Sequence, residues 1–252
     1  MIRKHALAAF AAIIGTATAA SAFQDSWSFG QEWSYSGSTG PDAWSSIAPA
    51  CGAGMQSPIV ISGTEPALMH RLEPLYNVTS VATHNDGSTV RQNYAPGSIL
   101  RVGAKVFVLK EFHFHTPAEH QVLDRTFPLE IQFTHQALSG EMAIVSVLVE
   151  EGGANEAAEE LLPHLPIETG QGVNLPNVKI NARDFMPQEK DYFRYMGSLS
   201  HPPCTPGVNW YVLKTPIEFS ADQIKLVQGI VGTNNRPVQP RDNRIILDAQ
   251  SQ

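Results

Sequence analysis

The chain has 252 residues, 42% hydrophobic and 16% charged, with eleven Phe, six Tyr and four Trp, enough apolar mass for a large core and too much for a disordered segment. Its 17 Lys and Arg against 24 Asp and Glu give a net charge of −7 with no Lys/Arg-rich run, which argues against a nucleic acid or another polyanion as partner. No stretch approaches the roughly 18 apolar residues of a membrane-crossing helix, so no stable membrane span is expected.

Residues 1–22 read as an export signal, with Arg3 and Lys4 at its start, an apolar run from Ala6 to Ile14, and small residues closing at Ala20-Ser21-Ala22. Residues 23–252 are then a single periplasmic or secreted domain of charge 15 − 24 = −9, since Arg3 and Lys4 leave with the signal. In that oxidising setting a bridge between Cys51 and Cys204 would close a loop of about 150 residues, a constraint of roughly 4 to 5 kcal/mol in the chain-entropy description. Two free buried thiols are the alternative. Period-two alternation predicts strands over 57–61, 89–93, 99–102, 106–115, 129–136, 142–149 and 210–214. Helices are predicted at 155–162, stopped by Pro163, and at 220–228, opened by the capping-box string Ser220-Ala221-Asp222-Gln223. Strands dominate, and no repeat or linker divides the chain.

Within 106–115, alternation puts Glu111, His113 and His115 on one face and Phe112 and Phe114 on the other. Two imidazoles side by side on a strand can grip one cation, and imidazole suits Zn²⁺, although a lone His-x-His pair also arises without a metal. Over 129–136 the same alternation groups Glu130, Gln132 and Thr134. Two such strands can oppose their polar faces across a lined pocket, where buried polar groups must hydrogen-bond or hold a ligand; a solvated outer face is the other reading. His135 falls on the apolar side of its strand and is expected to be structural, as is His120.

The string Phe112-His113-Phe114-His115-Thr116-Pro117-Ala118-Glu119-His120, with Gln56-Ser57-Pro58-Ile59, Tyr195-Met196-Gly197-Ser198-Leu199-Ser200-His201-Pro202-Pro203-Cys204 and Asn235-Arg236-Pro237-Val238-Gln239-Pro240, resembles the α-class carbonic anhydrases. Trp33-Ser34-Tyr35 and Trp210 add to the match, which spans nearly all of residues 23–252. The resemblance implies a mainly β, single-domain fold: a large, mostly antiparallel twisted sheet with a few short peripheral helices, a conical cleft with zinc at its floor, and a Cys51–Cys204 disulfide. It also implies hydration of CO₂ to bicarbonate by a zinc-bound hydroxide, since Zn²⁺ brings the pKa of its water to about 7. His113 and His115 match the first two zinc ligands. Glu119 matches the acceptor of the Ser200 hydroxyl, and Ser200 the residue that orients the hydroxide, with serine in place of the usual threonine. Ile144, Leu199 and Trp210 match the apolar wall that holds CO₂, and Thr134 replaces its usual valine.

Three positions depart from the pattern. Gln132 stands where the family has its third zinc-binding histidine; its amide oxygen is neutral like imidazole but a weaker zinc donor, and Glu130 is left to accept the Gln132 amide N–H instead of an imidazole N–H. Glu111 replaces the usual glutamine beside the first histidine ligand, adding a negative charge that favours a cation but opposes ionisation of its water. Ser88 falls where fast members carry a proton-shuttling histidine and cannot titrate near neutrality, which leaves His201 as a shuttle, a substrate contact or an aberrant ligand. Two functions follow: an exported zinc lyase acting on CO₂, or a carbonic-anhydrase-like binding domain with a weak or empty metal site. The sequence leaves the oligomeric state open, a homodimer included.

Overall fold

The computed structural model describes residues 33–251; the export signal read over 1–22 lies outside them. Among the described residues the chain forms strands β1 (Val60–Ile61), β2 (Glu65–Met69), β3 (Leu72–Leu75), β4 (Thr79–Asn85), β5 (Val90–Asn93), β6 (Ile99–Val102), β7 (Lys105–His115) and β8 (Gln121–Val122). There follow β9 (Leu129–Gln136), β10 (Met142–Glu151), β11 (Gly172–Ile180), β12 (Tyr192–Ser198), β13 (Pro206–Leu213), β14 (Ile217–Phe219) and β15 (Leu247–Ser251). Three α-helices, α1 (Trp44–Ile47), α2 (Glu156–Leu161) and α3 (Ala221–Val231), complete the frame with short 3₁₀ turns. No helix among the described residues is long and apolar enough to cross a membrane.

One large sheet runs in the order β11-β4-β5-β7-β9-β10-β13-β12-β15-β2, with β6, β3 and β14 attached at its sides. It is mostly antiparallel, as expected; β10 with β13, β10 with β14, and β15 with β2 are parallel. Each face carries its own core. Phe107, Leu109, Phe112, Phe114, Ile131, Phe133, Val145 and Val147 pack on one side, and Ile144, Leu148, Tyr195, Leu199, Trp210 and Val212 on the other. Period-two geometry assigns successive residues of β9 and β10 to opposite faces. In β7 a strict alternation would put Phe107 and Leu109 on the histidine face. The register instead shifts between Leu109, opposite His135, and Glu111, opposite Thr134. This bulge at Lys110 reverses the facing, so Phe112 and Phe114 join Phe107 and Leu109 while Glu111, His113 and His115 point together to the other side.

The polar faces of β7 and β9 do not oppose each other across a pocket. The strands are neighbours in one sheet, His113 beside Gln132 and His115 beside Glu130, so their polar residues form one continuous patch. The strands predicted over 99–102 and 129–136 have the observed bounds, whereas 57–61 shrinks to Val60–Ile61. Pro58 has no N–H for a ladder, and the Ser57 N–H goes to Ser198 Oγ at 3.1 Å. The 210–214 run starts four residues earlier, at Pro206, and ends at Leu213. Strand β4 escaped the hydropathy pattern because its inward residues include Thr79, Thr83 and Asn85, all buried. Ser220 and Gln223 do close a capping box on α3, which runs on to Val231. Cys51 and Cys204 are bridged, tying the Trp44 loop to the segment that follows Ser200. Two glycines are sterically required. Gly103, at φ +59°, makes the two-residue turn between β6 and β7, and a Cβ on Gly197 would meet Ser57 Oγ at 2.1 Å.

Candidate active site

His113 and His115, adjacent on the same face of β7, have their Nε2 atoms 3.1 Å apart. Both rings are buried. His115 Nδ1 lies 2.6 Å from the Asn234 carbonyl, which can only accept, so Nδ1 carries the proton and Nε2 the lone pair. His113 Nδ1 lies 2.9 Å from Glu111 Oε2 and by the same reasoning donates, so in the neutral ring its Nε2 is the lone-pair atom. Two lone pairs facing each other at that separation repel unless a proton or a cation lies between them. Burial, with the neighbouring His113 next, pushes His115 down to about 3, which keeps it neutral.

Gln132 sits beside His113 and is as deeply buried. Its amide nitrogen donates to Glu119 Oε2 at 2.7 Å and to Glu130 Oε1 at 3.0 Å. The bond expected between Glu130 and the Gln132 amide is present; that to Glu119 was not foreseen. With both N–H groups taken by carboxylates, the carbonyl oxygen is the group through which Gln132 can meet a cation. Two imidazole nitrogens and one amide oxygen make a neutral donor set that suits Zn²⁺, with oxygen the weaker third member. No cluster of three His, Cys, Asp or Glu among the described residues is arranged to hold a metal, so the site stands or falls with this amide.

Glu119 accepts three hydrogen bonds: from the Arg236 backbone N–H at 2.9 Å, from Gln132, and from the Ser200 hydroxyl. Burial, reinforced by the Glu130 charge, pushes its carboxyl up to about 7 against those donors. Glu130 accepts from the backbone N–H groups of Glu119 and His120, both at 2.9 Å, from His120 Nδ1 at 2.8 Å, from Ser146 Oγ at 2.7 Å and from Gln132. Although burial opposes ionisation, His120 and these donors bring Glu130 down to about 2. His120 is structural, as expected: its Nε2 reaches Tyr195 Oη at 2.7 Å. So is His135, held by Tyr76 Oη at 2.7 Å and the Ala143 carbonyl at 3.3 Å.

Ile144, Leu199 and Trp210 belong to one buried cluster on the site's face of the sheet. Thr134 lies opposite both Ile144 and Glu111, and its hydroxyl bonds Glu111, so it serves the polar patch as well as the wall. His201 stacks on Trp33 with ring centroids 5.7 Å apart, and its Nδ1–H donates to the Pro202 carbonyl at 2.9 Å. Burial, with Arg91 next, pushes its imidazole down to about 4. Ser88 Oγ donates to Asp86 at 2.6 Å. Asn234, Ser146, Asp86 and Arg91 were missed by sequence reasoning, and Tyr195 was part of a matched string without a role. Asn234 follows His115 by 119 residues and acts through its backbone carbonyl, which no side-chain pattern announces.

A large sheet whose central strands carry a His-x-His pair with Glu111 and Glu130 on one face, joined by Glu119 from the connection after β7 and by an apolar wall, defines the carbonic-anhydrase type of enzyme. The chain belongs to that family: the model of the eukaryotic-type carbonic anhydrases matches residues 39–250. A carbonic anhydrase of Neisseria gonorrhoeae is 35% identical over 222 residues, covering 86% of this chain and 87% of that protein. Among solved structures, the α-carbonic anhydrase of Photobacterium profundum superposes with a TM-score of 0.82 at 37% identity, over 86% of this chain and all of that one (100%). Dioscorin complexed with ascorbate superposes with a TM-score of 0.78 at 28% identity, over 86% of this chain and 97% of the other.

Proposed function

We propose that the chain reversibly hydrates CO₂ to bicarbonate, with Zn²⁺ held by Nε2 of His113, Nε2 of His115 and the amide oxygen of Gln132. The observation that carries this reading is the pair of lone-pair Nε2 atoms 3.1 Å apart, each ring fixed in that tautomer by its own acceptor. When bound, the ion supplies the Lewis acidity that makes water nucleophilic near neutral pH. The protein's residues do the rest. Ser200 gives its one proton to Glu119, so its oxygen can only accept; the nucleophile must turn its own hydrogen toward Ser200 and a lone pair toward the carbon. Ile144, Leu199, Trp210 and the methyl of Thr134 exclude water from the carbon's side of the cleft. Each hydration releases one proton. Ser88 cannot take it, and His201, depressed to about 4, is a poor acceptor at neutral pH; its neutral ring serves as a contact at the cleft and the proton leaves to buffer. The same attack gives a side activity toward activated esters. The export signal and the Cys51–Cys204 bridge support a periplasmic or secreted site of action.

A second reading, a binding domain with a weak or empty metal site, is favoured by one observation: both Gln132 N–H groups are locked on carboxylates, a complete structural role that needs no cation. The test is metal content of protein purified without chelators, with CO₂ hydration measured on wild type and Gln132→His. Near-stoichiometric zinc and measurable hydration in wild type are expected, with tighter zinc in the variant. A silent, metal-free wild type whose activity appears only with histidine establishes the binding domain instead.

A further inference from the structure

Two of the departures from the family pattern, Ser88 and Glu111, lie on one chain of contacts that passes through Asp86 and Arg91. Asp86 Oδ1 accepts from the Ser88 N–H at 2.8 Å, the Ser88 hydroxyl at 2.6 Å and the Thr89 N–H at 2.9 Å, which fixes the carboxylate at the turn before β5. Its Oδ2 accepts from Arg91 Nε at 2.7 Å. Arg91 Nη1 stands 3.7 Å from Glu111 Oε1, an ion pair beyond hydrogen-bond reach. Glu111 closes the chain on His113 Nδ1. The sheet register explains the meeting: Arg91 pairs directly with His113 across β5 and β7, and Glu111 lies two residues along the same face. The Arg91 and Glu111 side chains are only 20% and 12% exposed, so their charges are felt more strongly than on an open surface.

We propose that Arg91 is a positioning residue for the metal ligand His113: anchored by Asp86 and Ser88, its guanidinium, shared between Asp86 and Glu111, offsets part of the Glu111 charge, so that His113 meets less than the full pull of a carboxylate. The inference rests on the reading of His113 as a metal ligand. A carboxylate beside a metal-binding imidazole pulls a cation in; a guanidinium beside it pushes the cation out. Each charge alone therefore shifts affinity in its own direction, and Arg91 partly offsets Glu111 while the Asp86 charge stays in every variant. Thr134, which also bonds Glu111, keeps the carboxylate seated while Arg91 is varied.

A double-substitution cycle on the full chain tests this, read as Zn²⁺ affinity by chelator competition and as the visible absorption of the Co²⁺-loaded protein. Arg91→Gln is expected to tighten metal binding roughly tenfold and Glu111→Gln to weaken it roughly tenfold. The double variant returns to within about threefold of wild type with a wild-type Co²⁺ spectrum, and Arg91→Lys, which keeps the charge, stays close to wild type. Loss of affinity in Arg91→Gln, or no change in it, overturns the proposal, as does a double variant no better than Glu111→Gln. The cycle is repeated in a Gln132→His background. If wild type binds neither metal but that background does, the Gln132 ligand fails and the cycle there still decides on Arg91; if neither background binds, both readings fall.

Discussion

Gln132 brings two N–H groups and one carbonyl oxygen to a place where two carboxylates claim the N–H groups. An imidazole there has one N–H for one carboxylate, so the amide changes the hydrogen bonding of Glu119 as well as the ligand atom. That coupling is why a single substitution at residue 132 reaches both the ligand set and the Ser200 relay. Ser88 works the same way on a smaller scale: it is an absent shuttle and also a prop for Asp86. Ser88→His is expected to lower the dependence of turnover on buffer concentration, because a group titrating near pH 6.5 can then collect the released proton. Hydration rates at low and high buffer check this; equal rates for both proteins at low buffer would count against proton export as the slow step. The Ser88 and Thr89 N–H groups still hold Asp86 in that variant.

Among the elements, β7 shows how one residue of irregularity decides a site. The buried apolar residues sit at odd positions before Lys110, Phe107 and Leu109, and at even positions after it, Phe112 and Phe114, so the phase of the strand slips in the middle. Without the bulge, either Phe107 and Leu109 or the two histidines would face the wrong side of the sheet. Helix α3 is the clearest case of a local signal. Its capping box satisfies the Gln223 N–H through Ser220 Oγ and the Ser220 N–H through the Gln223 side chain. Ser220→Ala should cost about 1 kcal/mol of stability, measured by urea denaturation. Gln223 also bonds Asn155 in both directions, so the same cap ties α3 to the start of α2.

At the scale of the whole molecule, a buried histidine that stays neutral makes stability fall as the pH drops. His135 is fully buried, and burial pushes its ring down to about 4. The unfolded chain takes up a proton near pH 6.5 that the folded His135 refuses, so the unfolded state binds more protons between pH 6.5 and 4 and stability falls as pH drops through that window. Fully expressed, this one group is worth roughly 3 kcal/mol. Urea-unfolding free energies measured from pH 7.5 to 4 should fall more steeply in wild type than in His135→Gln; parallel slopes would show that His135 is not the group. The Cys51–Cys204 bridge acts over the same scale, joining residues 153 apart in sequence and fastening the aromatic loop around Trp44 to the segment that carries His201.

The sequence by itself determined the β-rich class, the bounds of β6 and β9, the start of α3, and the grouping of Glu111 with the two histidines, because alternation and capping are local rules that a side chain obeys within a few residues. Its ordered motifs also resembled a family, which the match over residues 39–250 identifies. What only the tertiary structure decided is which groups satisfy one another: the backbone carbonyl of Asn234 on His115, the Gln132 bond to Glu119, and the guanidinium of Arg91 between Asp86 and Glu111. Those pairings join residues on different strands and loops, and buried polar groups must be paired wherever the fold happens to bring a partner.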